Sequence, residues 1–225
     1  MRVLIAGGHG KIALQLSRLL SQRADAVIGL IRNPDHADDV EAAGAGAVVF
    51  DLESGGSAEL AEQLEGADAV VFAAGAGPGS GIPRKDTVDR AGAALLADAA
   101  QRAGVRRYLL ISSLGIDVDD PGWAPPAGTS DVFAAYLQAK AASELDLRAR
   151  DLDWTVLRPG TLTSHEPTGN VRLGLPTGQH GEISRADVAA VLLALLDEPR
   201  SAGLTLEVIG GDTPIAGAVS GLVRG

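Results

Sequence analysis

A cluster of small residues near the start of the chain has the spacing of a phosphate-binding turn. The apolar segment 3–6 runs into Gly7, and Gly10 and Ala13 follow at intervals of three. The first glycine permits a tight turn, the second lets backbone amides approach a pyrophosphate, and a small third residue lets the helix pack closely on the strand. The helix that begins here would direct unpaired N–H groups at the phosphates. We therefore expect a dinucleotide at this turn, contacted by Gly7, Gly8, His9, Gly10, Lys11 and Ile12.

The same string has a second interpretation, a glycine-rich turn without a ligand, because the chain contains 29 glycines and many alanines. Its position favours the dinucleotide. It follows the first strand of a repeated strand–helix pattern, which is the context that a dinucleotide fingerprint requires.

A cation follows the next apolar run, where Arg32 comes directly after segment 26–31. NAD sites usually carry an acid here for the ribose 2′-hydroxyl, whereas a cation can bind the 2′-phosphate of NADP. Arg32 therefore predicts NADP(H) as the preferred cofactor, with NAD(H) as the alternative. The other explanation is a solvated arginine that opens a helix, since strand ends commonly carry charge.

Two later strand ends fit the same pocket. Asp51 and Leu52 follow the third run, where a carboxylate could accept a hydrogen bond from the adenine amino group. Ala73, Ala74 and Gly75 follow the fourth, where small residues would let the ribose lie against the backbone. Asp51 could equally be a turn carboxylate.

Short aliphatic runs alternate with segments rich in Ala and Leu. The predicted strands are 2–6, 26–31, 47–50, 69–72, 108–111 and 155–157. The predicted helices are 12–20, 34–43, 58–64, 86–103 and 131–150. Continuous apolar strands suit a parallel sheet that is buried on both faces. The alternation predicts an α/β Rossmann fold with a doubly wound, mainly parallel sheet.

The 225 residues show no break in composition, so we expect a single NAD(P)-binding domain over 1–225. Ser184 and Asp187 predict the start of a helix over 188–196, and a strand is expected at 205–208. These elements belong to a small substrate-side extension within about 160–225. The loops predicted to line the ligand crevice are 74–83, 117–130 and 164–181.

Composition excludes several classes of partner. Lys and Arg number 19 against 29 Asp and Glu, a net charge of −10, so we expect neither nucleic acid nor a membrane surface as partner. The chain has no cysteine, and its four histidines are too scattered to predict a metal site. The opening apolar run is too short for a secretory signal. We expect a soluble, cytoplasmic monomer or homodimer that binds a small-molecule substrate.

Further motifs extend over nearly the whole chain. They are 7–13 (GGHGKIA), 89–92 (DRAG), 104–113 (GVRRYLLISS), 136–140 (YLQAK), 152–160 (LDWTVLRPG), 183–188 (ISRADV) and 211–215 (GDTPI). With these motifs the chain resembles the atypical short-chain dehydrogenase/reductases, in the NAD(P)H-binding group related to biliverdin reductase B and NmrA-like proteins.

The resemblance implies a catalytic set. A serine near the nicotinamide would be Ser112 or Ser113, and a Tyr-x-x-x-Lys pair would be Tyr136 and Lys140. In such dehydrogenases the tyrosine gives or takes the substrate proton, and the lysine assists this transfer and holds the nicotinamide ribose. Ser113 would orient the substrate carbonyl.

The backbone of Pro159 and Gly160 would border the nicotinamide. For the pair itself, a structural alternative exists. Tyr136 could belong to a buried stripe formed by Phe133, Leu137, Ala141 and Leu145. Lys140 could be a solvated side chain whose stem covers apolar surface.

The leading functional hypothesis is NADPH-dependent reduction of a small carbonyl, quinone or flavin-like acceptor. A non-catalytic NADP(H) sensor of the NmrA-like kind is the alternative from another class, because fold and cofactor site would look alike. A sugar-nucleotide epimerase or dehydratase is a weaker alternative, because few residues remain after segment 152–160 to form a large pocket.

Overall fold

The computed structural model describes residues 1–77 and 79–222. Its strands are β1 (Arg2–Ala6), β2 (Ala26–Ile31), β3 (Gly46–Val49), β4 (Ala69–Phe72), β5 (Arg107–Ile111), β6 (Asp153–Pro159), β7 (Thr161–Thr163), β8 (Asn170–Gly174), β9 (Glu182–Ser184), β10 (Leu204–Gly210) and β11 (Thr213–Pro214). Its helices are α1 (Lys11–Gln22), α2 (Ala37–Ala42), α3 (Ser57–Gln63), α4 (Ile82–Arg84), α5 (Gly92–Ala103), α6 (Asp131–Arg148), α7 (Arg185–Leu196) and α8 (Ile215–Ser220).

Within these described residues, nine strands form one sheet in the order β11-β8-β10-β6-β5-β4-β1-β2-β3. The strands from β10 to β3 are parallel, whereas β8 runs antiparallel to β10 and to β11. A separate parallel pair joins β7 to β9. The chain winds outward from β1 in both directions, so a crevice opens at the carboxyl ends of β1 and β4. The predicted doubly wound Rossmann sheet is confirmed.

The sheet separates two apolar layers. Val3 and Ile5 of β1 face one layer and pack with α1 and α7, whereas Leu4 and Ala6 face the other layer with α3 and α5. All four are fully buried. Strands buried on both faces require the continuous apolar runs that the sequence shows.

The predicted elements are present, with most ends displaced by one or two residues. The helix predicted over 34–43 begins with a 3-10 turn, Pro34–His36, and the one over 86–103 begins with a π-helical segment, Lys85–Ala91. The loop predicted over 164–181 is wrong in part, because β8 lies inside it. β8 has only a short alternating pattern, and pairing with β10 stabilises it as a strand. Pro78, in the predicted loop 74–83, lies outside the described residues.

A buried ion pair holds α6 against the ends of β5 and β6. The Arg158 guanidinium donates from Nε and Nη2 to the two oxygens of Glu144, at 3.0 and 2.6 Å. The Ser112 hydroxyl also donates to Glu144. All three side chains are buried. The helix that carries Tyr136 and Lys140 is therefore fixed to two neighbouring strand ends.

Replacing Glu144 by alanine would leave the Arg158 guanidinium buried without a counter-charge. Breaking a buried pair in this way costs about 3–5 kcal/mol, so we expect Glu144→Ala to lower the free energy of unfolding by this amount in denaturant titrations. As a control, Asp119→Asn breaks the exposed pair with Arg148 and should change stability by less than about 1 kcal/mol. Equal losses of stability in the two variants would contradict the role of the buried Glu144–Arg158 ion pair in holding α6.

Candidate functional site

A cavity of about 530 Å³ lies at the carboxyl ends of β1, β2 and β4. Its volume is within the range of small-molecule sites. The predicted cofactor residues at its wall are Gly7, His9, Gly10, Arg32, Asp51, Leu52, Ala73, Ala74 and Gly75. The structure thus brings together the glycine turn and three strand ends that the sequence predicts to share one ligand.

The glycine turn has the backbone geometry that a diphosphate requires. Gly7 has a φ of +80°, and a Cβ there would lie 2.6 Å from the Ala74 Cα, so only glycine fits. The Gly10 amide donates to the Gly7 carbonyl at 2.8 Å, and α1 starts directly afterwards. Within the described chain, no side chain caps this helix end. Its first amides and its dipole can therefore bind an anion.

Three residues of the predicted glycine turn, Gly8, Lys11 and Ile12, do not line the cavity. Gly8 packs against β2, where its own Cβ would lie 2.7 Å from the Gly29 Cα. The Ile12 side chain is buried in the core, and Lys11 is exposed. Gly8 and Ile12 therefore position the turn through packing, and the cofactor contacts predicted for these three residues stay predictions.

A charged cluster occupies the wall formed by the ends of β2 and β3. Arg32 donates from Nη1 to Glu53 Oε2 at 3.1 Å, and Arg84 donates from Nη2 to the same oxygen at 2.7 Å. Thr87 donates to the other oxygen, Oε1, at 2.6 Å. The hydrogen bond from Arg84 is the largest cause that lowers the pKa of Glu53, and that from Thr87 is the next. The Glu53 carboxyl is thus ionised at neutral pH.

Asp51 lies at this wall, and its carboxylate also forms a turn, which is the alternative role that the sequence analysis gave it. Its Oδ1 accepts a hydrogen bond from the Glu53 amide at 3.0 Å. Nearby, the rings of His9 and His36 stack with centroids 3.7 Å apart, and His9 Nε2 lies 2.8 Å from Asp39 Oδ2. The two rings form a flat, polar border beside the glycine turn.

Lys140 is buried, so the alternative of a solvated lysine is wrong. Its Nζ donates to the Ile111 carbonyl at 3.0 Å and lies 3.4 Å from Asp89 Oδ1. Both charged side chains are at least nine-tenths buried. Asp89 Oδ2 accepts a hydrogen bond from the Ala76 amide at 3.1 Å. This pair joins α6 to the loop that leaves β4 and lines the cavity.

Tyr136 lies beside two ammonium groups. The Nζ atoms of Lys85 and Lys140 are 5.8 and 5.9 Å from its ring centroid, and its ring stacks on Phe133. Lys85 is buried and donates to the Gly77 carbonyl at 3.1 Å. The tyrosine itself is half-buried.

The stripe proposed to bury Tyr136 is wrong in part. Leu137 and Ala141 are buried, but Phe133 is 51% exposed and Leu145 is 53% exposed. Tyr136 itself is half-buried and packs against the buried cluster that contains Leu137 and Ala141, so only the two ends of the stripe are exposed.

The two serines after β5 have different surroundings. The buried Ser112 hydroxyl donates to Glu144 of α6, beside the ion pair with Arg158, and the contact of Ser112 with a nicotinamide stays a prediction. The alternation of β5 explains this, because it directs residue 112 towards α6. Ser113 is half-buried, and its hydroxyl donates to the Leu114 carbonyl at 3.1 Å.

The backbone at the end of β6 lies beside the segment that follows β5. The Leu114 amide donates to the Pro159 carbonyl at 3.2 Å, which places the segment after β5 beside the end of β6. A Cβ on Gly160 would lie 2.2 Å from the Gly181 carbonyl oxygen, so a glycine is required there. Neither Pro159 nor Gly160 lines the 530 Å³ cavity.

Sequence reasoning missed Glu53, Arg84, Lys85 and Asp89. Asp89 lies in a motif that the sequence analysis quoted, and Glu53 is two residues from Asp51, so both carried a local signal. Arg84 and Lys85 follow a Gly- and Pro-rich segment without a pattern that would place them. The tertiary fold brings them to the site.

Within residues 1–77 and 79–222, no group of three or more His, Asp or Glu residues could hold a metal ion. In the same part of the chain, no helix has both the length and the apolar character needed to cross a membrane.

Residues 7–199 match the sequence model of the NAD(P)H-binding family, and the chain belongs to this family. It is 34% identical over 223 residues to the uncharacterized sugar epimerase YhfK of Bacillus subtilis (strain 168), with 99% of this chain and 100% of that protein covered.

Two solved structures are also similar. A Bacillus halodurans protein, provisionally assigned as an NAD-dependent epimerase/dehydratase, has a TM-score of 0.87 and 34% identity, covering 98% of this chain and 99% of that one. The oxidoreductase ylbE from Lactococcus lactis has a TM-score of 0.82 and 27% identity, covering 98% and 95%. These findings confirm the resemblance to atypical short-chain dehydrogenase/reductases and a nicotinamide cofactor.

The close approach of Gly7 to Ala74 gives a test of the turn. Gly7→Ala adds a Cβ that forces the turn away from the cavity wall, so we expect NADPH binding, measured by calorimetry, to weaken by about tenfold or more. Gly104→Ala is the matched control, because Gly104 also has a positive φ but a Cβ there meets nothing within 4 Å. It should cost about 1–2 kcal/mol of stability and leave NADPH affinity unchanged. Equal affinities in both variants would contradict the assignment.

Proposed function

We propose that the protein is an NADPH-dependent oxidoreductase that reduces a small carbonyl, quinone or flavin-like acceptor. The observation that carries this proposal is the half-buried Tyr136 beside the buried ammonium of Lys140, on a helix held against the ends of β5 and β6, at the same edge of the sheet as the glycine turn. The residues present fit the cofactor, because Gly7 and Gly10 line the cavity and, within the described residues, no side chain caps the first amides of α1, which can bind a diphosphate. A bound nicotinamide would supply the hydride.

In carbonyl reduction, the carbon gains a hydride and the oxygen gains a proton. Tyr136 is the proton donor in this proposal, since it is only half-buried and its ring lies beside two ammonium groups. The ammonium groups of Lys85 and Lys140 stabilise negative charge that develops on its oxygen as the proton leaves.

Lys140 has a second role in holding the cofactor ribose. An ammonium has three N–H donors; one donates to the Ile111 carbonyl, and the Asp89 carboxylate lies at ion-pair distance, 3.4 Å from Nζ. A remaining N–H can donate to a ribose hydroxyl. Ser113 orients the acceptor oxygen, and the backbone of Pro159 and Gly160 borders the ring.

A sugar-nucleotide epimerase is the second candidate, favoured by the name of the Bacillus subtilis relative. It would use the same tyrosine and lysine. The two candidates differ in net redox change, because an epimerase returns the hydride to its own substrate and consumes no NADPH.

The enzyme proposal is tested by stopped-flow oxidation of NADPH with a panel of quinones, flavins and aldehydes. We expect turnover with at least one acceptor, and Tyr136→Phe should lower kcat by about 100-fold or more if the acceptor needs a proton. Phe133→Leu is the control, because it removes the ring stacked on Tyr136 without removing a hydroxyl. Conversion of nucleotide sugars without net NADPH oxidation would favour the epimerase. Tight, redox-dependent NADP(H) binding with no turnover would favour a sensor.

The proposed preference for NADPH depends on Arg32. Arg32→Ala removes a guanidinium from the cavity wall, so we expect it to weaken NADPH binding by about 1.5–3 kcal/mol, the value of a charge-assisted hydrogen bond. NADH binding should stay nearly unchanged. The two dissociation constants, measured by fluorescence titration, check this, and equal losses for both cofactors would remove the NADP assignment.

A further inference from the structure

The charged cluster at the cavity wall consists of two guanidinium groups, those of Arg32 and Arg84, and one carboxylate, that of Glu53. Arg32 and Arg84 donate to the same carboxylate oxygen, at 3.1 and 2.7 Å. Two guanidinium groups that share one oxygen are close enough to bind a single tetrahedral anion together. Both arginines and Glu53 line the cavity that begins at the glycine turn.

The three side chains differ in how firmly they are held. Glu53 is fixed from two sides, by Arg84 and by the Thr87 hydroxyl at 2.6 Å, and its side chain is 23% exposed. Arg32 makes one hydrogen bond to Glu53, and its side chain is 54% exposed. An exposed pair of this kind contributes little to stability. Arg32 can therefore exchange partners at small cost, whereas Glu53 stays with Arg84 and Thr87.

We propose that Arg32, Arg84 and Glu53 form one subsite for the cofactor's adenosine ribose, in which Arg84 is a second ligand of the 2′-phosphate and Glu53 is its internal competitor. The inference rests on the proposed use of NADPH. A 2′-phosphate carries close to two negative charges and several acceptor oxygens, so it attracts both guanidinium groups and is repelled by Glu53. A ribose without this phosphate has a 2′-hydroxyl, and a carboxylate can accept a hydrogen bond from it. Glu53 therefore reduces the preference for NADP over NAD that the two arginines produce.

The test uses two nucleotides that differ only in the 2′-phosphate, adenosine 2′,5′-bisphosphate and 5′-AMP. Neither contains nicotinamide, so binding is independent of hydride transfer. By calorimetry at one fixed ionic strength, Glu53→Gln should bind the bisphosphate at least about fivefold more tightly, with 5′-AMP unchanged or weaker. Arg84→Gln should bind the bisphosphate about tenfold more weakly, with 5′-AMP unchanged. Arg84→Gln keeps the Glu53 side chain and its hydrogen bond from Thr87, so it tests the subsite even if Glu53→Gln folds poorly.

The matched control is Asp86→Asn. Asp86 lies in the adjacent π-helical segment and pairs with Arg90, so this variant makes the same change in net charge outside the cavity wall. It should leave both affinities unchanged. An equal gain in bisphosphate affinity in Asp86→Asn and Glu53→Gln would show a general charge effect and overturn the proposal. So would an unchanged affinity in Arg84→Gln. If the wild-type protein nevertheless bound the bisphosphate more tightly than 5′-AMP, the NADPH assignment would survive. If the wild-type protein bound neither nucleotide, the proposed function would also fail.

Discussion

The position of α6 depends on two oppositely charged side chains that are one helical turn apart and both buried. An unpaired charge in the interior is strongly destabilising, so Lys140 and Glu144 each need a partner at a fixed place. Asp89 provides one from the π-helical segment, and Arg158 provides the other from the end of β6. Because one position of the helix must satisfy both pairs, the edge that carries Tyr136 is set relative to the strand ends.

The first of these pairs also reaches the cofactor cavity. Asp89 accepts a hydrogen bond from the Ala76 amide, and a Cβ on Gly75 would lie 3.2 Å from its Oδ1. Gly75 lines the cavity in the loop that leaves β4. A single carboxylate therefore fixes both the cavity wall and Lys140. The distance between a dinucleotide bound at the glycine turn and the tyrosine on α6 is thus set by packing that exists before any ligand binds.

The features that could be predicted from the sequence are those encoded in local spacing. The turn at Gly7 and the placement of Arg32 both follow from residues that adjoin a recognisable apolar strand, and the structure places both at one cavity. What local spacing could not show is pairing between distant segments. The burial of Lys140 depends on Asp89, and the hydrogen bond of the Ser112 hydroxyl depends on Glu144. β8 was missed for the same reason, because its backbone partners come from β10.

Two ion pairs at opposite ends of the site differ in strength because one is buried and the other is exposed to water. Lys140 and Asp89 are removed from water, so their pairing is strong and neither can leave the other without a large cost. Arg32 and Glu53 are in contact with water, where screening makes their pairing weak and exchangeable. In the function proposed above, proton transfer requires a fixed geometry, whereas recognition of the adenosine ribose requires only a favourable charge. The burial of Lys140 with Asp89 and the exposure of Arg32 agree with these proposed roles.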